Sequence, residues 1–170
     1  MDSFERCFAF TVAAEGGFTR VASDPGNWTG GAVGHGELRG TKYGISAAAY
    51  PTLDIENLSE QDAEEIYRRD YYEPLHGDEL SMPVAQVLFD GAVNAGVKRA
   101  VIWLQQAIGQ VADGVLGDKT LVAVRAADAL TVAREMLARR MDFYARLPGW
   151  ADFGLGWSRR VIALAEEIMR

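Results

Sequence analysis

A chain of 170 residues with 49% hydrophobic and 24% charged side chains is neither disordered nor too small to build a core without a metal or disulfide staple. The single cysteine, Cys7, excludes an intrachain disulfide, and a net charge of −7 argues against general nucleic-acid binding, which needs a basic surface. No apolar run approaches the roughly 20 residues of a membrane span, and the start Met1-Asp2-Ser3-Phe4-Glu5-Arg6 lacks the basic, then apolar, pattern of a signal peptide, so cytoplasmic synthesis is expected.

The first predicted element is a helix. Asp2 and Glu5 have capping-box spacing, Phe4, Phe8 and Thr11/Val12 recur on one face, and Gly16-Gly17 sets its end near Glu15. Cys7 lies within it as a small core residue. Residues 16–44 then hold nine of the 18 glycines, which excludes a continuous helix and predicts loops or short strands with tight turns. Helical signals return at Ser59, a cap for residues 60 to about 72 ahead of Pro74. Pro83 starts another helix that ends at Gly96, and residues 97–108 a further one, closed by Gly109. Asp113-Gly114 is a turn. Helices are predicted over 117–128 and 130–147, a break at Pro148-Gly149, and a last helix over 157–169 packed by Trp150, Trp157 and Arg159-Arg160. The charge is uneven: residues 1–97 carry a net −10 and residues 98–170 a net +3, so an anionic polymer would meet the later half, although solvated helix faces explain the same pattern.

Glu15 is the residue with the clearest chemical potential. A carboxyl at the end of an apolar helix, half buried against a loop, is kept protonated by desolvation and by the negative helix terminus, as a general acid requires. A glutamate before two glycines is also a plain helix-end residue. Trp28, Tyr43, Tyr71 and Tyr72 have apolar faces with polar tips, suited to stacking on sugars or to packing. Asp90 and Asn94, four apart on one helix face, either line a cleft or tie the helix to a loop. His35, Glu37, His76 and Asp78 match no zinc spacing, and Asp113 to Asp118 lacks the alternating carboxylates of a calcium loop, so no metal and no cofactor are expected.

Several ordered motifs carry a resemblance. Ala14-Glu15-Gly16-Gly17-Phe18, Asp24-Pro25-Gly26 and Gly40-Thr41-Lys42-Tyr43-Gly44-Ile45-Ser46 resemble the bacterial N-acetylmuramidases of glycoside hydrolase family 108, which includes phage-type endolysins and secretion activator proteins. The likeness continues through Ile66 to Tyr72 and Leu88 to Gly96. From Leu104-Gln105-Gln106 through Asp113-Gly114-Val115-Leu116-Gly117 to Thr120-Leu121 it resembles the peptidoglycan-binding module that usually comes next in these proteins. The resemblance implies an all-α, mainly helical, lysozyme-like fold with a small glycine-rich loop or β lobe near the N-terminus. It implies a catalytic part over residues 1–90 and a helical peptidoglycan-binding-like module over 91–170.

By the same resemblance Glu15 is the catalytic acid. The local pattern is similar to phage lysozymes, in which an Asp follows the Glu by nine residues and a Thr opens a Thr-x-x-Gly-Ile strand. Asp24 and Thr41 hold those places, Asp24 to activate or position water and Thr41 to hold it. The alternative for Asp24 is a turn-former before Pro25-Gly26. Trp28, Tyr43, Tyr71, Tyr72, Asp90 and Asn94 are the implied substrate-binding residues. Two departures stand out: the stretch Asn27 to Gly40 is longer than in many relatives, which makes Thr29 a rival to Thr41, and Tyr71-Tyr72 replaces a frequent Tyr-Trp. The expected activity is cleavage of the β-1,4 bond between N-acetylmuramic acid and N-acetylglucosamine in peptidoglycan glycan strands, by a monomer that reaches the wall after release or export. A lytic transglycosylase using the same acid, or a non-catalytic wall-binding protein, are the alternatives.

Overall fold

Helix α1 (Ser3–Val12) opens with the expected reciprocal cap: the Glu5 amide donates to Asp2 Oδ1 at 2.7 Å and the Asp2 amide to Glu5 Oε2 at 2.8 Å. The computed structural model describes residues 2–12 and 17–170, so the expected end of α1 at Glu15 lies outside the described residues. By contact density the chain divides into two units. One comprises residues 8–69, the other residues 1–7 with 70–170.

The smaller unit holds the glycine-rich segment. A short antiparallel hairpin, β1 (Thr41–Lys42) and β2 (Ile45–Ser46), pairs Thr41 with Ser46 and Lys42 with Ile45. Its two-residue loop, Tyr43-Gly44, has φ of 51° and 75°, the left-handed pair that a type I′ turn requires. Thr19 adds a bridge to Thr41 through two 2.8 Å backbone bonds, and Trp28 adds one to Leu38. Helix α2 (Glu60–Tyr67) comes after it, capped by Ser59 and Asp62 in a second capping box. The unit's interior contains Ile45, Ile55, Leu58, Ala63, Ile66 and Tyr67. Phe8 meets Tyr67 edge to face at 5.7 Å. After α2 the chain runs on as a single π-helical turn, Arg68–Tyr72.

The larger unit is a set of helices: α3 (Met82–Ala95), α4 (Val97–Ala107), α5 (Asp118–Ala126), α6 (Ala129–Tyr144) and α7 (Trp150–Glu167). Every residue from Val84 to Ala92 is buried, so α3 is a central helix, apolar around its circumference and packed on α4 and α6. Gly91 lets α4 approach closely, since a Cβ there would sit 3.4 Å from Ala100 and the Trp103 ring. Phe4, Tyr72 and Phe89 form an edge-to-face cluster with centroids 5.1 to 6.0 Å apart. Asp90, fully buried, binds α3 to two other helices: Arg140 of α6 donates from Nη1 to Oδ2 at 2.5 Å, and Arg160 of α7 from Nη2 to Oδ1 at 2.6 Å.

The last helix starts at Trp150, directly after Pro148-Gly149, and not at Trp157 as expected. Gly154 does not break it; a Cβ there would strike the Trp150 ring, so the glycine makes room for an aromatic side chain one turn earlier. The result is a mainly helical, lysozyme-like fold with a small glycine-rich lobe. Among the described residues no helix is long and apolar enough to cross a membrane.

Candidate active site

The glycine-rich lobe is organised by one buried polar residue that no sequence motif singles out, Asn27. It ends a short 3-10 turn, Pro25–Asn27, whose cap is Asp24 in extended conformation. One Asp24 carboxylate oxygen accepts the Gly26 amide at 2.8 Å, so Asp24 is a turn-former, while the residue as a whole stays exposed. Asn27 is 0% exposed. Its amide donates to the Asp24 carbonyl, its carbonyl accepts the Arg39 and Gly40 amides, and its Nδ2 donates to the Val21 carbonyl at 3.1 Å. Its Oδ1 accepts the Thr41 hydroxyl at 2.7 Å. Asp24 and Thr41 are thus held in one network through a single asparagine. Its only sequence signal is its place at the end of Asp-Pro-Gly-Asn, where a turn asparagine would ordinarily be solvent-exposed.

The long stretch between Asn27 and Gly40 closes on itself. Thr29 and Gly30 amides donate to the Glu37 and His35 carbonyls, and the Thr29 hydroxyl oxygen accepts the Glu37 amide at 2.9 Å. Thr29 is therefore the clasp of this loop. Trp28 donates from its indole nitrogen to the Ala22 carbonyl at 2.9 Å and keeps part of its ring exposed. Tyr43, at the hairpin tip, has a left-handed φ that costs a non-glycine residue on the order of 1 kcal/mol or more. Its carbonyl is tied down by the Tyr67 hydroxyl at 3.0 Å, and the Lys42 ammonium lies 5.5 Å from its ring centre. Two concavities of about 340 and 370 Å³ open in this unit, lined by residues such as Arg20, Arg39 and Glu56 and by Asn57, Glu65 and Arg69 respectively. Neither is lined by Asp24, Trp28, Thr41 or Tyr43.

Glu15, the expected acid, lies outside the described residues. The other expected contacts belong to the larger unit and fall into two groups. Tyr71 and Asn94 keep exposed surface. Tyr72 and Asp90 do not. Tyr72 is 2% exposed, its hydroxyl donates to Asp78 at 3.0 Å, and burial together with the Asp78 carboxylate drives its pKa well above the ordinary phenol value. It packs rather than stacks on a sugar. Asp90 has both oxygens engaged by Arg140 and Arg160, and Asn94 Nδ2 donates to its carbonyl at 2.7 Å. Asp90 therefore ties helix to helix and has no surface for a substrate, a correction to its expected binding role. Cys7 is buried, and desolvation pushes its thiol up to about 12, far from the range of a nucleophile.

An Asp-capped turn and a Thr-led hairpin occur in the order the motifs call for, and a buried asparagine that the motifs do not specify joins them. A family model described as Glycosyl hydrolase 108 matches residues 8–96. The chain belongs to glycosyl hydrolase family 108. A second model, described as a predicted peptidoglycan domain, matches residues 99–162, from α4 into α7. The solved structure of SagA from Brucella abortus is similar to this chain, with 29% identity, a TM-score of 0.83, and coverage of 98% of this chain and 94% of that one. No curated protein matches the chain by sequence. As a member of glycosyl hydrolase family 108 with a peptidoglycan-binding domain, the protein is a glycosidase directed at peptidoglycan.

Proposed function

We propose that this family 108 glycosidase is an N-acetylmuramidase, hydrolysing the β-1,4 bond between N-acetylmuramic acid and N-acetylglucosamine as a monomer. Catalysis is assigned to residues 1–90 and the grip on the wall to residues 91–170. Glu15 gives its proton to the leaving oxygen as positive charge develops on the sugar. The observation that carries the reading is the Asn27 network joining Asp24 to Thr41. Because the Thr41 hydroxyl gives its only proton to Asn27, its oxygen faces any further partner as an acceptor. A water donating one proton to Thr41 and the other to Asp24 would present its lone pair to the sugar carbon. The loop-clasping bond of Thr29 supports Thr41 over Thr29 in this role. Trp28, Tyr43, Tyr71 and Asn94 remain the proposed sugar contacts, since each keeps accessible surface.

The test is digestion of purified sacculi by the wild type, Glu15→Gln and Asp24→Asn, with fragments read by mass spectrometry. Asp24→Asn retains an oxygen for the Gly26 amide, so it removes the charge while keeping the turn. Reducing muramic-acid ends from the wild type, with a loss of about 10²–10⁴ in rate for Glu15→Gln, is the expected result. Anhydro ends with full activity in Asp24→Asn would make the enzyme a lytic transglycosylase. Sacculi left intact by the wild type, yet bound, would make it a wall-binding protein.

A further inference from the structure

The segment matched by the peptidoglycan domain contains a groove of about 230 Å³ between α4 and α6, built by two parallel patterns. Helix α4 contributes Arg99, Trp103 and Gln106 at spacings of four and three; helix α6 contributes Arg139, Asp142 and Phe143 at i, i+3 and i+4, and the turn just past its C-cap adds Arg146. These spacings put the helical residues of each set on one face. Trp103 is 3% exposed and forms the floor, with its ring edge to face against Phe143 at 5.6 Å. The Arg99 guanidinium lies 4.8 Å from the centre of the Phe143 ring, which fixes its position beside the groove.

The charges are unusual for this protein. Three arginines and one aspartate give the groove an excess of two positive charges on a chain of net −7. Arg139 has a partner on its own helix, Glu135, at 3.6 Å. Among the described residues, neither Arg99 nor Arg146 has a carboxylate within ion-pair distance, and Asp142 has no cation within it. Planar guanidiniums match carboxylates in paired hydrogen bonds, and an aspartate between them suits an ammonium group. A neutral glycan has neither charge. A nucleic acid would be repelled by Asp142 and by the rest of the surface.

We propose that this groove binds the peptide stems of peptidoglycan, with Arg99 and Arg146 taking carboxylates and Asp142 taking the free amine of an uncrosslinked stem. The assignment rests on the reading of the protein as one that acts on peptidoglycan, and it adds a second recognition element to the glycan: peptide charge. It makes uncrosslinked stems, which carry both groups, the preferred marks on the wall.

The experiment is calorimetric titration of the full chain with stem tetrapeptide released from sacculi by an amidase, alongside the same peptide with its carboxylates amidated, a stem-free chitin oligosaccharide and inorganic phosphate. The wild type is expected to bind the free peptide, and amidation to weaken binding by about tenfold or more, the size of one lost charge-assisted hydrogen bond. Arg146→Gln, an exposed change that leaves the Arg99–Phe143 packing alone, is expected to weaken it by a similar factor. Arg99→Gln/Arg146→Gln is expected to weaken it further, and Asp142→Asn by a smaller factor. Equal affinity for free and amidated peptide, unchanged binding by Arg146→Gln, or equal competition by phosphate would overturn the proposal. The sacculus digestion separates the two readings. Cleaved sacculi with no peptide binding overturn the groove alone, peptide binding without cleavage supports the groove and removes the hydrolase reading, and failure of both overturns both.

Discussion

The two units reach their structures by opposite means. In the larger, a run of nine buried residues on α3 and an ion triad centred on the fully buried Asp90 join three helices, so its order comes from side chains distant in sequence. In the smaller, few large apolar side chains are available between residues 17 and 44, and order comes from backbone pairing, left-handed turns and one buried asparagine. A helical unit of the first kind tolerates surface change and fails when a buried partner is removed. A lobe of the second kind fails when a turn residue acquires a side chain. The proposed chemistry belongs to the lobe, where geometry is set by short-range backbone bonds and not by bulk packing.

The largest test of that contrast is Asp90→Ala. It leaves Arg140 buried at 0% exposure without its counter-charge, and loss of one member of such a pair costs about 3–5 kcal/mol. Urea unfolding should show that loss, and a double change that also replaces Arg140 by Met should recover part of it, since the penalty is the orphaned charge. On the lobe side, Gly40→Ala is the counterpart. Gly40 has φ of 88°, and an added Cβ would run into the Thr19 carbonyl and the Phe18 ring. Overpacking of this kind costs about 1–3 kcal/mol. A melting curve for Gly40→Ala that overlays the wild type would mean that the lobe adapts more freely than its hydrogen bonds imply.

A matched pair of buried amides sharpens the comparison. Asn27 holds the lobe as described; Gln105, 1% exposed, holds the 113–115 turn by donating to Asp113 at 2.7 Å and accepting the Gly114 amide at 2.8 Å. Replacing either by Ala should cost about 1–3 kcal/mol in stability, because partners are left unsatisfied. Only Asn27→Ala should also lower the rate of sacculus hydrolysis measured well below its melting temperature, since it frees the Thr41 hydroxyl. Equal rates for the two variants would detach Asn27 from catalysis.

Much of this was legible in the sequence wherever local rules decide the outcome. The caps at Asp2/Glu5 and Ser59, the turn at Asp24-Pro25-Gly26 and the starts of the helices near Pro83, Val97, Asp118 and Ala129 are dictated by spacing and residue type within one turn. Asp90 was visible only as a polar residue on an apolar face, because its partners are 50 and 70 residues away. Tyr71 and Tyr72 are adjacent aromatics, and which of them faces the interior depends on a π-helical turn that shifts the register after α2. The start of α7 was missed because nothing local in the sequence shows that the Trp150 ring fits over Gly154 one turn later. Asn27 was passed over because an asparagine in a turn is normally solvated.

The smallest effect lies at a cap within the smaller unit, Ser59 at the head of α2. Its hydroxyl oxygen accepts the Asp62 amide at 3.1 Å, while its own amide and hydroxyl both donate to Asp62 Oδ2. Those bonds, the side-chain one first, hold the Asp62 carboxyl below its ordinary value of 3.8. A carboxylate with a depressed folded value contributes stability that is fully present above the ordinary value and disappears as pH falls through the lower folded one. Ser59→Ala should therefore cost about 1 kcal/mol at neutral pH, the usual worth of a serine N-cap. The gap between the two proteins should hold down to the ordinary aspartate range and narrow only below it, as protonation of Asp62 removes the acceptor from the wild type as well. Thermal melts of both proteins from neutral pH into that acidic range would show this convergence, whereas a constant gap at every pH would assign the cap's whole contribution to the Ser59 hydroxyl and none to the Asp62 charge.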